Sequence, residues 1–189
     1  MKKTMLTIAV VLAVFCLFPV TAQQVSDPSG IILNHYASRT FLSGAIPKAD
    51  LDSIIQAGIR APSAGNRQPW HFTVVQDLDL AKKMIPLTVE GNLLIIVSAS
   101  GDGKTNGIQI LDCALATQSI YLQAQALGYA SRIYTAPMEN LNKTLKKELG
   151  LPEGYSAISL IRIGKSDTKA DALSAASARN AAATMVTYK

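Results

Sequence analysis

The chain has 189 residues, a formal net charge of +5, 49% hydrophobic and 16% charged residues, two cysteines and two histidines. That length suits one domain with a sizeable core. It carries no run of Lys and Arg interleaved with aromatics, so nucleic-acid binding has no support, and with so few His and Cys and no H-E-x-x-H no metal site is expected.

The first element is a leader. Lys2 and Lys3 precede an almost wholly apolar run over 5–20, and Val20-Thr21-Ala22 fits a small-residue cleavage site. This is the pattern of a secretory signal peptide over 1–22, followed by a mature domain over 23–189. The alternative is an uncleaved anchor, since the apolar run nearly spans a bilayer. Cleavage predicts an exported protein, periplasmic or secreted, with no stable membrane insertion. Losing Lys2 and Lys3 takes the net charge from +5 to +3. It also leaves Cys113 as the sole cysteine, which rules out an internal disulfide and reads as a buried structural thiol.

Asp27-Pro28 marks a helix start, with a cap and then proline at the first helical position, running to about Ala37. Pro47 begins a second helix on which Leu51, Ile54, Ile55 and Ile59 share one face. Pro62 ends it. The stretch "APSAGNRQPWHF" over 61–72 then reads as a stiffened loop leading into a strand over 71–75, and 78–85 as a short helix. "NLLIIVSAS" over 92–100 is a continuous, branched apolar run, which predicts a strand covered on both faces. The longest helix spans about 108–127, is apolar nearly all round and is expected to be central. Gly128 caps it. "YASRIYT" is a brief strand, Pro137 opens a helix with Leu141, Leu145 and Leu149 on one face, and 156–164 is the last strand. The tail from Ser166 is rich in Ala, Ser and Thr yet ends with Met185, Val186 and Tyr188, which suits docking on a second subunit. The order predicts a sheet sandwiched by helices. G-x-G-x-x-G, G-x-x-x-x-G-K-[ST] and G-x-S-x-G are all absent.

Several stretches together resemble the FMN-dependent nitroreductase family, which includes the iodotyrosine deiodinases. Arg39-Thr40-Phe41 and "APSAGNRQPW" match the family's Arg-x-Phe/Tyr and its Ala-Pro-Ser-x-x-Asn-x-Gln-Pro-Trp loop. "DCALATQSIYLQAQALGYAS" is similar to its central helix, "LGLPEGYSAISLIRIG" to its helix-to-strand segment, and "SARNAAATMVTYK" to its closing segment. The resemblance covers about 31–189. It implies an α+β fold, an α-β-α sandwich with a central mixed sheet. It further implies a homodimer whose C-terminal segment reaches the partner, and one FMN in each of two interface clefts.

The resemblance also assigns residues. Pro62, Ser63, Asn66 and Gln68 would lie along the flavin ring and ribityl chain, where hydroxyl and amide groups pair with ribityl hydroxyls or ring heteroatoms. Arg39 and Arg179 would hold the phosphate. Thr135 and Ala136 fall where donors approach flavin N5 and O4, although Thr135 also reads as a helix cap before Pro137. Trp70 either walls the site or anchors the strand, and His71 reads as structural. Where the family's phosphate loop reads Arg-Arg-Ser-x-Arg, this chain has His35, Tyr36, Ala37, Ser38 and Arg39. Histidine lacks arginine's fixed charge and bidentate fork. Lys82 and Lys83 read as a solvated face. No acid–base dyad stands out, so no catalytic residue is assigned beyond the cofactor's own chemistry. The implied activity is reduction of a nitroaromatic, quinone or similar small-molecule acceptor, with NAD(P)H as candidate donor. The alternative is a catalytically weak flavin- or small-molecule-binding envelope protein.

Overall fold

The computed structural model describes residues 28–101, 107–166 and 178–189. The expected leader, the Asp27 cap and the tail stretch 167–177 lie outside the described residues.

Helix α1 (Pro28–Asn34) stops short of Ala37. Two side chains close its last turn, Asn34 Nδ2 donating to Gly30 O at 2.9 Å and His35 Nδ1 meeting Ile32 O at 2.6 Å. The chain then peels away, and Ser38 N–H donates to Ser131 O at 3.0 Å. Helix α2 (Lys48–Ile59) follows Pro47 as expected. A short 3-10 turn (Ala64–Asn66) lies in the loop before strand β1 (Trp70–Val75). Then come α3 (Leu78–Met84), β2 (Leu93–Ser100), α4 (Gly107–Ala126) and β3 (Ala130–Tyr134). A helical stretch, α5 (Met138–Asn140), runs on through a π-type turn (Leu141–Leu145) and leads to β4 (Tyr155–Gly164). A last turn of helix, α6 (Ala182–Met185), lies in the tail.

The strands lie in the order β1-β2-β4-β3, and every neighbouring pair is antiparallel. The expected sandwich is present, but the described sheet is antiparallel where a mixed one was expected. The reason lies in β4. Helix α4 joins β2 to β3, which run the same way, as a helical crossover should. Strand β4 is inserted between them and runs opposite to both.

Alternation along β2 and β4 divides the core into two layers. Leu94, Ile96 and Leu160 face Ala81 and Met84 of α3 together with Met138, Leu141, Leu145 and Leu149. Ile95, Val97, Ile161 and Ile163 face Ile54 of α2 and Cys113, Ile120 and Ala124 of α4. The apolar run over 92–100 is thus covered on both faces. Gly58 lets α2 close on α4: a Cβ there would meet Ile120 Cδ1 at 2.7 Å. Gly128, at φ 82°, ends α4. There Gly128 N–H donates to Gln125 O and Tyr129 N–H to Ala124 O, both at 2.9 Å, the paired bonds of a left-handed helix terminus.

Helix α4 is central but not wrapped. Its inner face is small or polar, with Asp112, Cys113, Ala116, Thr117, Ile120, Tyr121 and Ala124 buried. Its outer face leaves Ile108, Leu111 and Leu115 exposed.

Candidate functional site

Helix α4 carries two separate groups of the expected residues. Near its start stands the loop before β1. Ser63 is extended, whereas Gly65, Asn66 and Gln68 have φ of 59°, 54° and 48°. Left-handed backbone is uncommon outside glycine, and it persists where surrounding structure dictates it. Here the constraint is a local network. Gln68 N–H donates to Ser63 Oγ at 3.0 Å, Gln68 Nε2 donates to Asn66 Oδ1 at 3.1 Å, and Asn66 N–H donates to Ser63 O at 3.0 Å. Ala64 N–H donates to Asp112 Oδ1 at 3.0 Å, fastening the loop to α4. Pro62, Asn66 and Gln68 face solvent, and Ser63 is half-buried.

Further along α4 is a cleft of about 230 Å³ lined by His35, Ala37, Gln118, Tyr121, Ile133 and Arg179. It brings together three of the residues expected at a phosphate, from the two ends of the domain. The His35 ring meets Tyr121 edge-on, with centroids 5.6 Å apart. Its Nδ1 must donate to the Ile32 carbonyl, which only accepts. That leaves Nε2, which donates only when the imidazole is protonated. Burial raises the Tyr121 pKa, while a hydrogen bond with Gln125 and the charge of Arg179 pull the other way. The bed of the segment is fixed by Gln125, whose Nε2 donates to Tyr36 O at 2.7 Å and Ser131 Oγ at 3.1 Å. Tyr36 itself is half-buried and lines a neighbouring cleft with His35.

Arg39 is not in this cleft. It lines another, of about 520 Å³, with Arg132, Tyr134 and Arg162. Along β3, Ile133 points to the first cleft and its neighbours Arg132 and Tyr134 to the second, as strand alternation requires. The two arginines expected at one phosphate therefore stand at different openings. Thr135 and Ala136 are exposed just past β3. The Thr135 carbonyl accepts from Met138 N–H at 3.1 Å, while the helix that follows has no side-chain cap.

Other residues take structural roles. Trp70 is half-buried and stacks on Phe72 at 6.3 Å within the α4-side core. His71 is exposed and meets Tyr155 edge-on. Lys83 pairs with Glu148. Cys113 is fully buried, and burial together with the neighbouring Asp112 pushes its thiol up to about 11. It therefore holds its proton at neutral pH and is no nucleophile. Sequence reasoning missed Asp112, Gln118 and Tyr121. Their only signal was polarity on the inner face of an otherwise apolar helix.

Taken together these features describe an α-β-α binding domain whose polar groups gather on loops packed against one central helix. The nitroreductase family profile matches residues 32–105 and 91–165. A putative NADH dehydrogenase/NAD(P)H nitroreductase of Archaeoglobus fulgidus is 34% identical over 143 residues, covering 71% of this chain and 82% of that protein. The chain belongs to the nitroreductase family. Among solved structures, an FMN-dependent nitroreductase of Clostridium difficile is similar at a TM-score of 0.63 and 27% identity, covering 74% of this chain and 87% of its own. A putative NADH dehydrogenase/NAD(P)H nitroreductase of Bacteroides thetaiotaomicron has a TM-score of 0.69 at 26% identity, covering 85% and 95%. A nitroreductase with bound FMN from Bacteroides fragilis has a TM-score of 0.70 at 21% identity, covering 85% and 97%, and shares the fold.

Proposed function

We propose that this chain binds FMN and is an oxidoreductase of the nitroreductase type. The observation that carries the reading is the cleft where His35, Ala37 and Arg179 meet. A phosphate monoester needs cations or N–H donors. Arg179 supplies a guanidinium and Gln118 an amide, and His35 adds an N–H only when its ring is protonated, so the fit to the group rests first on Arg179 and Gln118. Ser63, Asn66 and Gln68 offer a hydroxyl and two amides on a loop that hydrogen bonds already hold in shape, so little ordering remains to be done on binding. Thr135 presents a hydroxyl at the exposed end of β3. FMN held there would supply the redox chemistry between NAD(P)H or another donor and a nitroaromatic, quinone or similar acceptor. The protein's share is position and electrostatics.

The loop and the phosphate cleft are about six residues apart on α4, roughly 9 Å along its axis at the helical rise. A second copy would bring its own loop to the first copy's cleft, and the homodimer is part of this proposal. Its support is the exposed row Ile108, Leu111 and Leu115 on α4, with Met185, Val186 and Tyr188 in the tail. Export is proposed too, on Lys2, Lys3, the apolar run and Val20-Thr21-Ala22.

The test is to purify residues 23–189, add FMN, desalt and record the visible spectrum, then supply NADH or NADPH with a nitroaromatic or a quinone. A stoichiometric flavin band with turnover is expected. A colourless protein would overturn the reading. A flavin band without turnover favours the second reading, a flavin-binding envelope protein. The specific observation for it is that Arg179 is the only guanidinium lining the phosphate cleft among the described residues.

A further inference from the structure

A neutral His35 offers the proposed flavin phosphate cleft an acceptor, where a phosphate needs a donor. Its Nδ1 lies 2.6 Å from Ile32 O, one of the carbonyls that the last turn of α1 leaves unpaired within the helix. A carbonyl only accepts, so Nδ1 carries the hydrogen, and on the neutral ring Nε2 is a bare lone pair. The backbone behind the ring is pinned as well. Gln125 Nε2 donates to Tyr36 O at 2.7 Å, Ser38 N–H to Ser131 O at 3.0 Å and Ser131 N–H to Ser38 Oγ at 3.1 Å. Flipping the ring to present a donor breaks the bond to Ile32; adding a proton at Nε2 does not.

The groups facing the ring come from three elements. Arg179, from the tail, lines the same cleft. Tyr121, from α4, meets the ring edge-on, and burial raises its pKa above the ordinary 10.0. Tyr129, just past α4, lines the neighbouring cleft with Tyr36 and His35. Burial, then its bond to Asp50 Oδ2 at 2.5 Å, pushes Tyr129 up to about 12. Both Tyr121 and Tyr129 therefore keep their protons near neutral pH. Among the described residues no carboxylate lines either cleft. What an imidazolium lacks here is a counter-charge, and a phosphate monoester brings one.

Resting on the flavin reading above, we propose that His35 takes up a proton as FMN binds, so that pH sets the chain's grip on its cofactor. The proton comes from water, turns Nε2 from acceptor to donor and adds a charge beside Arg179; it returns to water when the phosphate leaves. The coupling is reciprocal, so the proton favours FMN by the factor with which FMN favours the proton. Histidine ordinarily titrates near about pH 6.5, so affinity falls as pH rises from there. A monoester's own second ionisation, near about pH 6, acts in the opposite sense and limits affinity on the acid side.

Calorimetric titration of the purified protein with FMN in HEPES and in Tris counts the protons, since the apparent enthalpy then varies with the buffer's ionisation enthalpy. At about pH 7.5 the monoester is already a dianion and an ordinary histidine mostly neutral, so uptake reports the ring. The wild type should take up most of one proton. Its FMN affinity should drop about tenfold between about pH 6.5 and about pH 8.5, the worth of one charge-assisted hydrogen bond. His35→Gln and His35→Arg, which donate without titrating, should take up none and hold a flat profile above about pH 7. Circular dichroism checks that both are folded, and riboflavin should bind all three proteins alike. FMN bound by the wild type without proton uptake, or with a pH profile shared by both variants, overturns the proposal and leaves the flavin reading standing. Failure of all three to bind FMN at any pH overturns both.

Discussion

Asp112 Oδ1 accepts the Ala64 N–H at 3.0 Å, joining the buried face of α4 to the loop before β1. A carboxylate only 2% exposed is spent on one backbone amide of that loop. Asp112→Ala leaves the amide unpaired, a loss of about 1–3 kcal/mol in stability. It should also weaken FMN by about tenfold, because the loop must then be ordered at the moment of binding. Asp112→Asn keeps the acceptor and should recover most of both. Fluorescence titration of FMN beside urea unfolding of each variant checks this. Equal FMN affinity in Asp112→Ala and wild type would remove the anchoring role.

Gln68 sits at φ 48° with a side chain that bonds Asn66. Glycine adopts that conformation without the ~1 kcal/mol or more that other residues bear. Gln68→Gly should therefore hold or raise stability by a few tenths to about 1 kcal/mol while weakening FMN. Melting temperature and flavin affinity should move in opposite directions. If both fall together, the backbone there is not strained for the ligand's sake.

Arg179 and His35 face one cleft but differ in kind. Arg179→Ala removes the fixed charge and should cost FMN about 10- to 100-fold, the range of a charged hydrogen bond. His35→Ala should cost less. His35→Arg should tighten FMN beyond wild type, because a guanidinium donates at every working pH. Parallel titrations against free riboflavin separate phosphate effects from ring effects, since riboflavin should not distinguish these variants.

Cys113 sets a pH dependence whose sign follows from its environment. Its folded pKa, about 11, lies above the ordinary 9.0. The folded state therefore binds the proton more tightly, so the contribution is full below pH 9.0 and is lost as pH rises to about 11. Cys113→Ala should flatten the fall in unfolding free energy over that window by on the order of 2 kcal/mol. Urea unfolding at several pH values in reducing buffer reads it directly. An unchanged slope in the variant would assign the alkaline loss to tyrosines and lysines alone.

Leu111 and Leu115 test the proposed second copy. Both are exposed on α4's outer face. Leu111→Glu with Leu115→Glu should turn a dimer into a monomer in sedimentation. The folded domain should survive, because neither side chain belongs to the core. A wild-type chain that sediments as a monomer would remove the homodimer from the proposal.

Much of the fold was legible because it is written locally. The apolar run that became β2, the glycine ending α4 and the proline opening α2 each act within a few residues. The antiparallel sheet was not legible, because β4's place between β2 and β3 is a long-range pairing with no local mark. Helix α4 misled for a different reason. Apolar residues all round it give no preferred face, so the pattern could not show that Leu111 would lie outside and Asp112 inside. At the site, glycine, asparagine and proline announced the loop. The parting of Arg39 from Arg179 was hidden, since it depends on which way single residues of β3 point.

The insertion of β4 also has a consequence for how the molecule is made. Strand β2 ends at Ser100, whereas β4 starts at Tyr155. A growing chain therefore carries the inner edge of β2 unclothed from Ser100, and that of β3 from Tyr134, until β4 begins at Tyr155. Such edges invite pairing with other chains. Closure waits for the last strand, so the sheet's centre is also the last part to arrive, and contacts this distant in sequence form slowly. A chain interrupted before Tyr155 has no way to join its two halves, and would be expected to aggregate rather than persist as a smaller folded unit.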